Sequence, residues 1–395
     1  MILKLRLIVC SIVLSLLAVT LAFGQVKPHL TARVDTTQQD VKLVYKLIGD
    51  YFNSSPDSLY NNPYWNKNEV DYFYTQKRDN FDQAAFYLFY NMNSKQLFTY
   101  FKPNILSIAP VGDKYISRIL LSADTLQLWM KEHKMNPPFI LRYYAAKDEA
   151  GNWKLENTWS NELKKWSQYK TKWITFHYPR SFDFDLTKAE KSNTFIDSVI
   201  ATLDIPNAKP FDFYVMSSEE ELGRLFNMDY WLAYQTGFVR KNYNRVFSAY
   251  GREDHLHEFV HMLYHPVKNY FLAEGIATYL GGVDGRTPYQ QTLWSLSKDL
   301  YQNHPKTTFK DLYENKFIYA TNQSPRYVAG AIVYQLVHDK KGVKGFRQLE
   351  ESENTYESFI KTFAAIMNIN EKKVEAFLTE YIKEYHLVKP TIQKL

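Results

Sequence analysis

Residues 256–263 of this chain read Leu-His-Glu-Phe-Val-His-Met-Leu and place His257 and His261 four positions apart. The apolar residues around them recur at helical spacing, so the stretch predicts an amphipathic helix with one buried side. Histidines four positions apart lie on one face of a helix, one turn from each other, and both imidazoles can reach a single metal ion. Glu258 is placed beside them, where it can take a proton from water in such a site. The stretch therefore predicts a metal site on a helix.

Two downstream residues are candidates for a third ligand. Glu274 opens a second helical pattern, Glu-Gly-Ile-Ala-Thr-Tyr, whose apolar neighbours predict a buried side. His265 is the rival candidate. On one straight helix, however, it would be rotated by about 80° about the helix axis from His257, so the three histidines cannot all bind one ion. We therefore favour Glu274 and interpret His265 as a helix-end residue that interacts with the negative pole of the helix. An exposed helix glutamate is the alternative interpretation of Glu274.

Residues close to the motif narrow the class of site. A metzincin pattern requires Gly at position 264 and His at position 267, but the chain has Tyr264 and Val267, which excludes that class. His255 points to another side of the predicted helix, so we expect it to be a supporting or surface residue. Pro266 is expected to end the helix.

Composition bounds the class of protein. The chain has 395 residues, enough for two domains, and 45% of them are hydrophobic, which permits a sizeable core. The formal charge is +6, but the basic residues form only short pairs and no stripe along a predicted helix or strand. We therefore expect no nucleic-acid partner.

The first 24 residues resemble a targeting segment. Lys4 and Arg6 precede an apolar run, Leu7 to Phe23, which is typical of a secretory signal peptide with cleavage before Gln25. An uncleaved amino-terminal anchor is the alternative, because the run approaches the length that spans a membrane. The only cysteine, Cys10, lies inside this run, so the mature chain is expected to have no disulfides and no cysteine metal site. We predict an extracytoplasmic protein, periplasmic or secreted, with no membrane span after cleavage.

The remainder predicts an α+β protein in two parts. Residues 25–165 are predicted to form a small α+β accessory domain with a curved antiparallel sheet and a hairpin turn at 148–152. Its predicted elements are a helix at 38–52 and strands at 86–90, 105–108, 115–121, 139–144 and 153–157.

A polar, lysine-rich stretch at 161–172 is predicted to link this domain to the second, which we place at 170–395. Its α/β lobe, 170–252, is predicted from strands at 173–178, 211–216 and 245–250 and a helix at 187–203. Its helical lobe, 253–395, is predicted from helices at 254–265, 271–280, 287–303, 325–340, 344–352, 355–367 and 371–386.

The pairing of His-Glu-x-x-His with a downstream Glu-Gly-x-Ala-x-Tyr resembles the gluzincin metallopeptidases, in particular the peptidase MA-like domains of exported bacterial proteins. The resemblance covers about residues 172–350 and implies that His257, His261 and Glu274 bind Zn²⁺ and that Glu258 is the general base. Only twelve residues separate His261 from Glu274, fewer than in thermolysin-like or aminopeptidase-like members. The chain also has no Gly-x-Met-Glu-Asn segment of the kind that aminopeptidases use to hold a substrate amino terminus, so an endopeptidase is expected.

The resemblance implies an exported zinc metallopeptidase that acts on a peptide or protein substrate. Related enzymes supply a Tyr or His from the helical lobe to stabilise the oxyanion, and Tyr327 is the candidate here. The strand at 245–250 is a candidate to pair with an extended peptide. Two alternatives stay open: a non-catalytic zinc-containing binding module of the cell envelope, and a zinc hydrolase that acts on a non-peptide substrate.

Overall fold

The computed structural model describes residues 26–54, 62–75, 101–123, 139–230, 237–285, 287–316 and 325–387. The chain contains both helices and sheets, which confirms the predicted α+β class. The predicted signal segment and the predicted strand at 86–90 lie outside the described residues. A search of the helices in those ranges found none with the length and apolar character needed to cross a membrane.

The strands in the described ranges are β1 (His29–Leu30), β2 (Phe101–Val111), β3 (Lys114–Ala123), β4 (Phe139–Lys147), β5 (Trp153–Glu156), β6 (Trp166–Lys170), β7 (Ile174–Pro179), β8 (Phe211–Val215), β9 (Met228–Tyr230), β10 (Gly237–Arg240) and β11 (Arg245–Ser248). The α-helices are α1 (Gln39–Phe52), α2 (Lys67–Thr75), α3 (Thr158–Leu163), α4 (Leu186–Leu203), α5 (Glu219–Leu225), α6 (Leu256–Leu263), α7 (Tyr270–Gly281), α8 (Tyr289–Asn303), α9 (Phe309–Tyr313), α10 (Pro325–Lys341), α11 (Val343–Leu349), α12 (Tyr356–Met367) and α13 (Glu371–Glu384).

The described residues form two compact units. The first takes in the described residues up to Lys164 and those of 220–234; the second takes in 165–219 and the described residues from 235 onward. The sheet of the first unit has the order β1-β2-β3-β4-β5, with β9 also paired to β4, and its pairs are antiparallel apart from β1 with β2.

Aromatic side chains fill the core of the first unit. Tyr51, from the buried side of α1, meets Tyr143 of β4 edge to face at 6.0 Å between ring centroids, and Trp65 meets Tyr143 in the same way at 5.8 Å. The hairpin between β4 and β5 forms where the sequence predicts it, since the Asp148 carboxylate accepts bonds from turn amides and Gly151 adopts a φ of +80°.

The segment around Asn227 belongs to the first unit, so its predicted place in the α/β lobe is wrong. The buried Asn227 side chain accepts a hydrogen bond from the Thr158 amide at 2.8 Å and donates one to Asn157 Oδ1 at 2.7 Å. Asn227 also has a φ of +63°, a left-handed conformation that asparagine tolerates. These bonds join residues about seventy positions apart, and a local sequence pattern carries no signal of them.

The second unit begins with a five-stranded sheet of order β10-β11-β8-β7-β6. β7, β8 and β11 are parallel neighbours, and the two outer strands pair antiparallel to them. The prediction of a linker at 161–172 is wrong for Trp166–Lys170, which is β6, paired with β7. Its side chains are half-buried or exposed, as expected for an outer strand, and polar residues on such a strand conceal its alternation.

One face of this sheet supports α6. Phe211 and Phe213 project from β8 onto Phe259 of α6, with ring centroids 5.6 and 4.9 Å apart. Phe259 is completely buried, and the cluster continues to Ile196 of α4 and Met262 of α6. The apolar stripe predicted for α6 is therefore the face that fixes this helix on the sheet.

The helical segments predicted after residue 253 all form helices, with ends that differ by a few residues. The short helix α9 was not predicted, because five residues are too few to show a period; it is held by a capping box between Thr308 and Asp311. α7 and α10 cross at Gly275 and Gly330, where a Cβ on Gly275 would lie only 2.9 Å from the Gly330 carbonyl carbon. Glycine at this crossing lets the two backbones touch.

Candidate metal centre

α6 carries the first two candidate ligands. His257 is buried, and its Nδ1 lies 3.1 Å from the carbonyl oxygen of Gly282, just beyond the end of α7. A carbonyl can only accept, so Nδ1 carries a proton and Nε2 presents its lone pair. His261 follows one turn later, and its Nε2 is 3.1 Å from Nε2 of His257. Both imidazoles thus turn the same nitrogen to one point.

α7 brings the third candidate ligand to that point. Its amino terminus is capped by Asn269, whose side chain accepts a hydrogen bond from the Phe271 amide at 3.1 Å. At its other end Gly281 lies against the start of α6, where a Cβ would approach the His257 amide nitrogen to 2.6 Å. This close contact sets the two helices so that Glu274 Oε2 lies 3.2 Å from His257 Nε2 and 3.5 Å from His261 Nε2.

The donor set fits a divalent zinc ion. Zinc bonds of about 2.0–2.1 Å at tetrahedral angles separate neighbouring ligand atoms by about 3.3 Å, and the three separations here are 3.1, 3.2 and 3.5 Å. With Nδ1 protonated, the lone pair of a neutral His257 Nε2 faces a carboxylate oxygen, and either a second proton on the ring or a metal cation relieves that opposition. Within the described part of the chain, these are the only three His, Cys, Asp or Glu residues grouped closely enough to hold a metal.

The ionisation of Glu274 agrees with this role. Burial opposes ionisation, but hydrogen bonds and charge from the two histidines outweigh it and hold the pKa of the Glu274 carboxyl well below its usual range. For His257, burial lowers the pKa, and the contact with Glu274 outweighs that and leaves it raised. A metal would take the place of the proton that this histidine otherwise gains.

Glu258 lies beside the three candidate ligands in a confined position. Its side chain is 13% exposed, and burial raises the pKa of its carboxyl, although charge from His257 and His261 works in the opposite direction. Gly237, at the start of β10, lies so close that a Cβ there would be 3.2 Å from Glu258 Oε1. A carboxyl with a raised pKa in a confined site is suited to accept and later release a proton.

His255 is buried, so it is not a surface residue, and the expectation that it supports the site is the one that fits. Its Nδ1 lies 2.9 Å from the hydroxyl of Ser248 on β11, and its Nε2 lies 4.0 Å from Glu258 Oε1. Burial lowers the pKa of His255 to about 3, so the ring is neutral. His255 therefore fills the space between β11, Gly237 and Glu258 without adding a charge.

Tyr327 lies at the ligand cluster. Its ring stacks on that of His257, with 5.8 Å between centroids and 17° between planes. Burial and the nearby Glu274 carboxylate raise its pKa, so its hydroxyl keeps a proton to donate. The hydroxyl is 3.3 Å from that of Tyr270, a residue not predicted from the sequence. Tyr270 lies one turn before Glu274 on α7, and this helical spacing alone could have indicated that the two residues share one side of the helix.

His265 is not one of the clustered residues. It follows the end of α6, and its two ring nitrogens lie 2.9 Å from Arg347 Nη1 and 2.9 Å from Glu350 Oε2.

The prediction that the strand at 245–250 pairs with a peptide is wrong, because such pairing requires a strand with a free edge. β11 pairs with β10 on one side and with β8 on the other, so both of its edges are used.

A scan of the chain against models of known protein families found no match. A search of curated proteins also found no match.

Proposed function

We propose that this chain is an exported zinc-dependent metallopeptidase of the gluzincin type, and that it acts as an endopeptidase on peptide or protein substrates. The observation that carries the proposal is the triangle of His257, His261 and Glu274 atoms with the confined carboxylate of Glu258 beside it. A purely structural zinc site closes all four positions with protein ligands. Within the described residues, three ligands cluster here, which leaves room for a substrate.

When bound, zinc would polarise the carbonyl of the peptide bond and lower the pKa of water to near neutrality. Glu258 accepts a proton from the attacking water, whose oxygen bonds to the carbonyl carbon. Glu258 then delivers that proton to the nitrogen as the carbon–nitrogen bond breaks, and the raised pKa of its carboxyl suits it to both steps. The hydroxyl of Tyr327 donates to the carbonyl oxygen as negative charge develops there.

Location outside the cytoplasm is part of the proposal and rests on the amino-terminal sequence, with Lys4 and Arg6 before a long apolar run. Recovery of the expressed chain from the periplasm or medium, with an amino terminus at Gln25, would support it.

Cleavage of a diverse peptide library by residues 25–395 tests the proposed reaction. We expect Glu258→Gln to lower kcat by at least about 10²-fold, since removal of a general base costs that much or more. The variant should keep its zinc, because Glu258 is not a ligand. Equal cleavage by the parent and the variant would contradict the role of Glu258, and no cleavage by a zinc-loaded parent would favour a non-catalytic module.

A further inference from the structure

The second unit contains a surface cavity of about 430 Å³ at the carboxyl-terminal end of α6. Half of the residues that line it are polar: Lys209, Lys241, His265, Arg347, Asn207 and Asn244. The other half is apolar or aromatic, and the described residues that line it include no Asp or Glu. A cavity of this composition favours a ligand that is partly apolar and carries negative charge.

Arg347, Lys241 and Lys209 supply positive charge to the cavity lining. Arg347 Nη1 lies 2.9 Å from His265 Nδ1, and its guanidinium covers the Tyr264 ring at 5.5 Å. Arg347, Lys241 and His265 all line this cavity. Burial lowers the pKa of His265, and charge from Arg347 and Lys241 acts in the same direction. The buried Glu350 carboxyl lies 2.9 Å from His265 Nε2, and this single carboxyl cannot neutralise both Arg347 and Lys241. A carboxylate matches the planar fork of an arginine and the point charge of a lysine.

The cavity lies close to the proposed catalytic residues along two elements. Lys241 Nζ is 3.3 Å from the carbonyl oxygen of His261, and Met262, the next residue of α6, lines the cavity. β10 starts at Gly237 against Glu258 and leads directly into Lys241. Four residues span about 6 Å along a helix and about 13 Å along a strand, so the cavity is about two to four extended peptide residues from Glu258.

We propose that this cavity is a substrate subsite that binds a carboxylate of the peptide, about two to four residues from the cleaved bond. The proposal rests on the proposed peptidase function and deepens it by naming a substrate class. The carboxylate is either the free carboxyl terminus of a peptide or the side chain of an internal Asp or Glu. Its oxygens accept hydrogen bonds from Lys241 and Arg347, while the apolar part of the cavity covers the neighbouring substrate residue.

Binding to the zinc-loaded Glu258→Gln protein tests the subsite without cleavage. The probes are fluorescein-labelled alanine-rich octapeptides that differ in one group: a free carboxyl terminus against a terminal amide, and Glu against Gln at each position in turn. We expect one carboxylate peptide to bind about tenfold tighter than its neutral partner, the factor that one charge-assisted hydrogen bond supplies. The arm that shows this preference identifies the source of the carboxylate.

In the same titrations, Lys241→Met and Arg347→Gln are each expected to reduce the preference for the carboxylate peptide to less than about threefold. If a melting curve shows that Lys241→Met does not fold, Arg347→Gln still tests the subsite, because Arg347 is exposed and its replacement leaves the core unchanged. Lys306→Gln, an exposed lysine outside the cavity, should keep the preference. Equal binding of charged and neutral peptides, or a preference that survives both cavity variants, overturns the subsite alone. If no peptide binds, the subsite and the peptidase proposal are overturned together.

Discussion

Two tyrosines at the ligand cluster differ in their surroundings. Tyr327 stacks on His257, whereas Tyr270 is 47% exposed, and its ring is covered by the Arg326 guanidinium at 4.8 Å. The two hydroxyls are 3.3 Å apart. Stacking on the His257 ring fixes the position of Tyr327, which a proposed oxyanion donor needs. Tyr270 is placed to orient that hydroxyl.

We expect Tyr327→Phe to lower kcat by about 10²-fold, the cost of removing one oxyanion donor, with little change in KM. Tyr270→Phe should cost less than about tenfold, because a neutral hydrogen bond contributes about 1 kcal/mol. Both variants should hold zinc, since neither hydroxyl is a ligand. Steady-state kinetics with metal analysis checks this, and a larger loss from Tyr270→Phe than from Tyr327→Phe would reverse the two roles.

The sequence allowed the ligands His257 and His261 and the candidate base Glu258 to be proposed, because a helix fixes the relation between residues one turn apart. It did not predict the contact of Gly237 with Glu258 or of Ser248 with His255. Those contacts come from strands that a loop brings back to the helix, and their residues carry no distinctive chemistry.

At the scale of elements, glycines set how closely the ligand helices pack. Gly275 lies next to Glu274 and against Gly330 of α10, and Gly281 lies against the amino terminus of α6. In the structure the Gly275 contact is with α10, and the approach to α6 is made by Gly281.

Gly275→Ala should lower the free energy of unfolding by about 1–3 kcal/mol, the usual cost of overpacking, because backbone cannot move aside for the new methyl group. Gly49→Ala is a matched control, since Gly49 is also in a helix but its Cβ would lie 3.7 Å from the nearest atom. That change should be neutral or stabilising by up to about 1 kcal/mol. Urea denaturation measures both, and equal effects would contradict the account of the crossing.

Glu350 joins three elements of the helical part. Its carboxyl accepts hydrogen bonds from Tyr264, just after α6, at 3.0 Å and from Tyr334 of α10 at 2.9 Å, and it follows the end of α11. Burial raises the pKa of Glu350 to about 7, although both tyrosine hydroxyls favour the ionised form. At pH values between the pKa of the unfolded chain and that of the folded chain, Glu350 therefore keeps a proton in the folded chain that it has released in the unfolded chain.

In the unfolded chain the Glu350 carboxyl has a pKa of about 4.3. Raising the pH from there to about 7 therefore lowers the free energy of unfolding, compared with a variant that lacks this carboxyl. We expect Glu350→Gln to remove that loss, so that its stability relative to the parent increases between pH 5 and pH 7. Urea midpoints at pH 5, 6, 7 and 8 measure the difference. Glu351→Gln, an exposed neighbour, should run parallel to the parent, and a parallel course for Glu350→Gln would contradict the prediction.

For the whole molecule, local pattern predicted more of the helical part than of the sheets. Helices α6 to α8 and α10 to α13 follow apolar spacing along one segment, so each is readable by itself. β6, β9 and β10 are strands of only five, three and four residues, too short to show a clear alternation. β9 in addition pairs with β4, a strand about ninety positions earlier in the chain. The assignment of Asn227 to the first unit depends likewise on its bonds to residues near 158.

All the candidate ligands, Glu258 and Tyr327 lie within the second unit. A bound metal that contacts α6 and α7 together should stabilise that unit, because binding to the folded state alone raises stability by RT ln(1 + [L]/Kd). Removal of the metal with a chelator is thus expected to lower the melting temperature of the chain, and addition of zinc to restore it.

Zinc stoichiometry across a small set of variants shows whether His257, His261 and Glu274 bind the metal. We expect one zinc per chain in the parent, in Glu258→Gln and in His265→Ala, and loss of the zinc in His257→Ala, His261→Ala and Glu274→Ala. Elemental analysis of the purified, dialysed proteins gives the answer. A parent that holds no zinc, or zinc that survives in Glu274→Ala but is lost in His265→Ala, would contradict it.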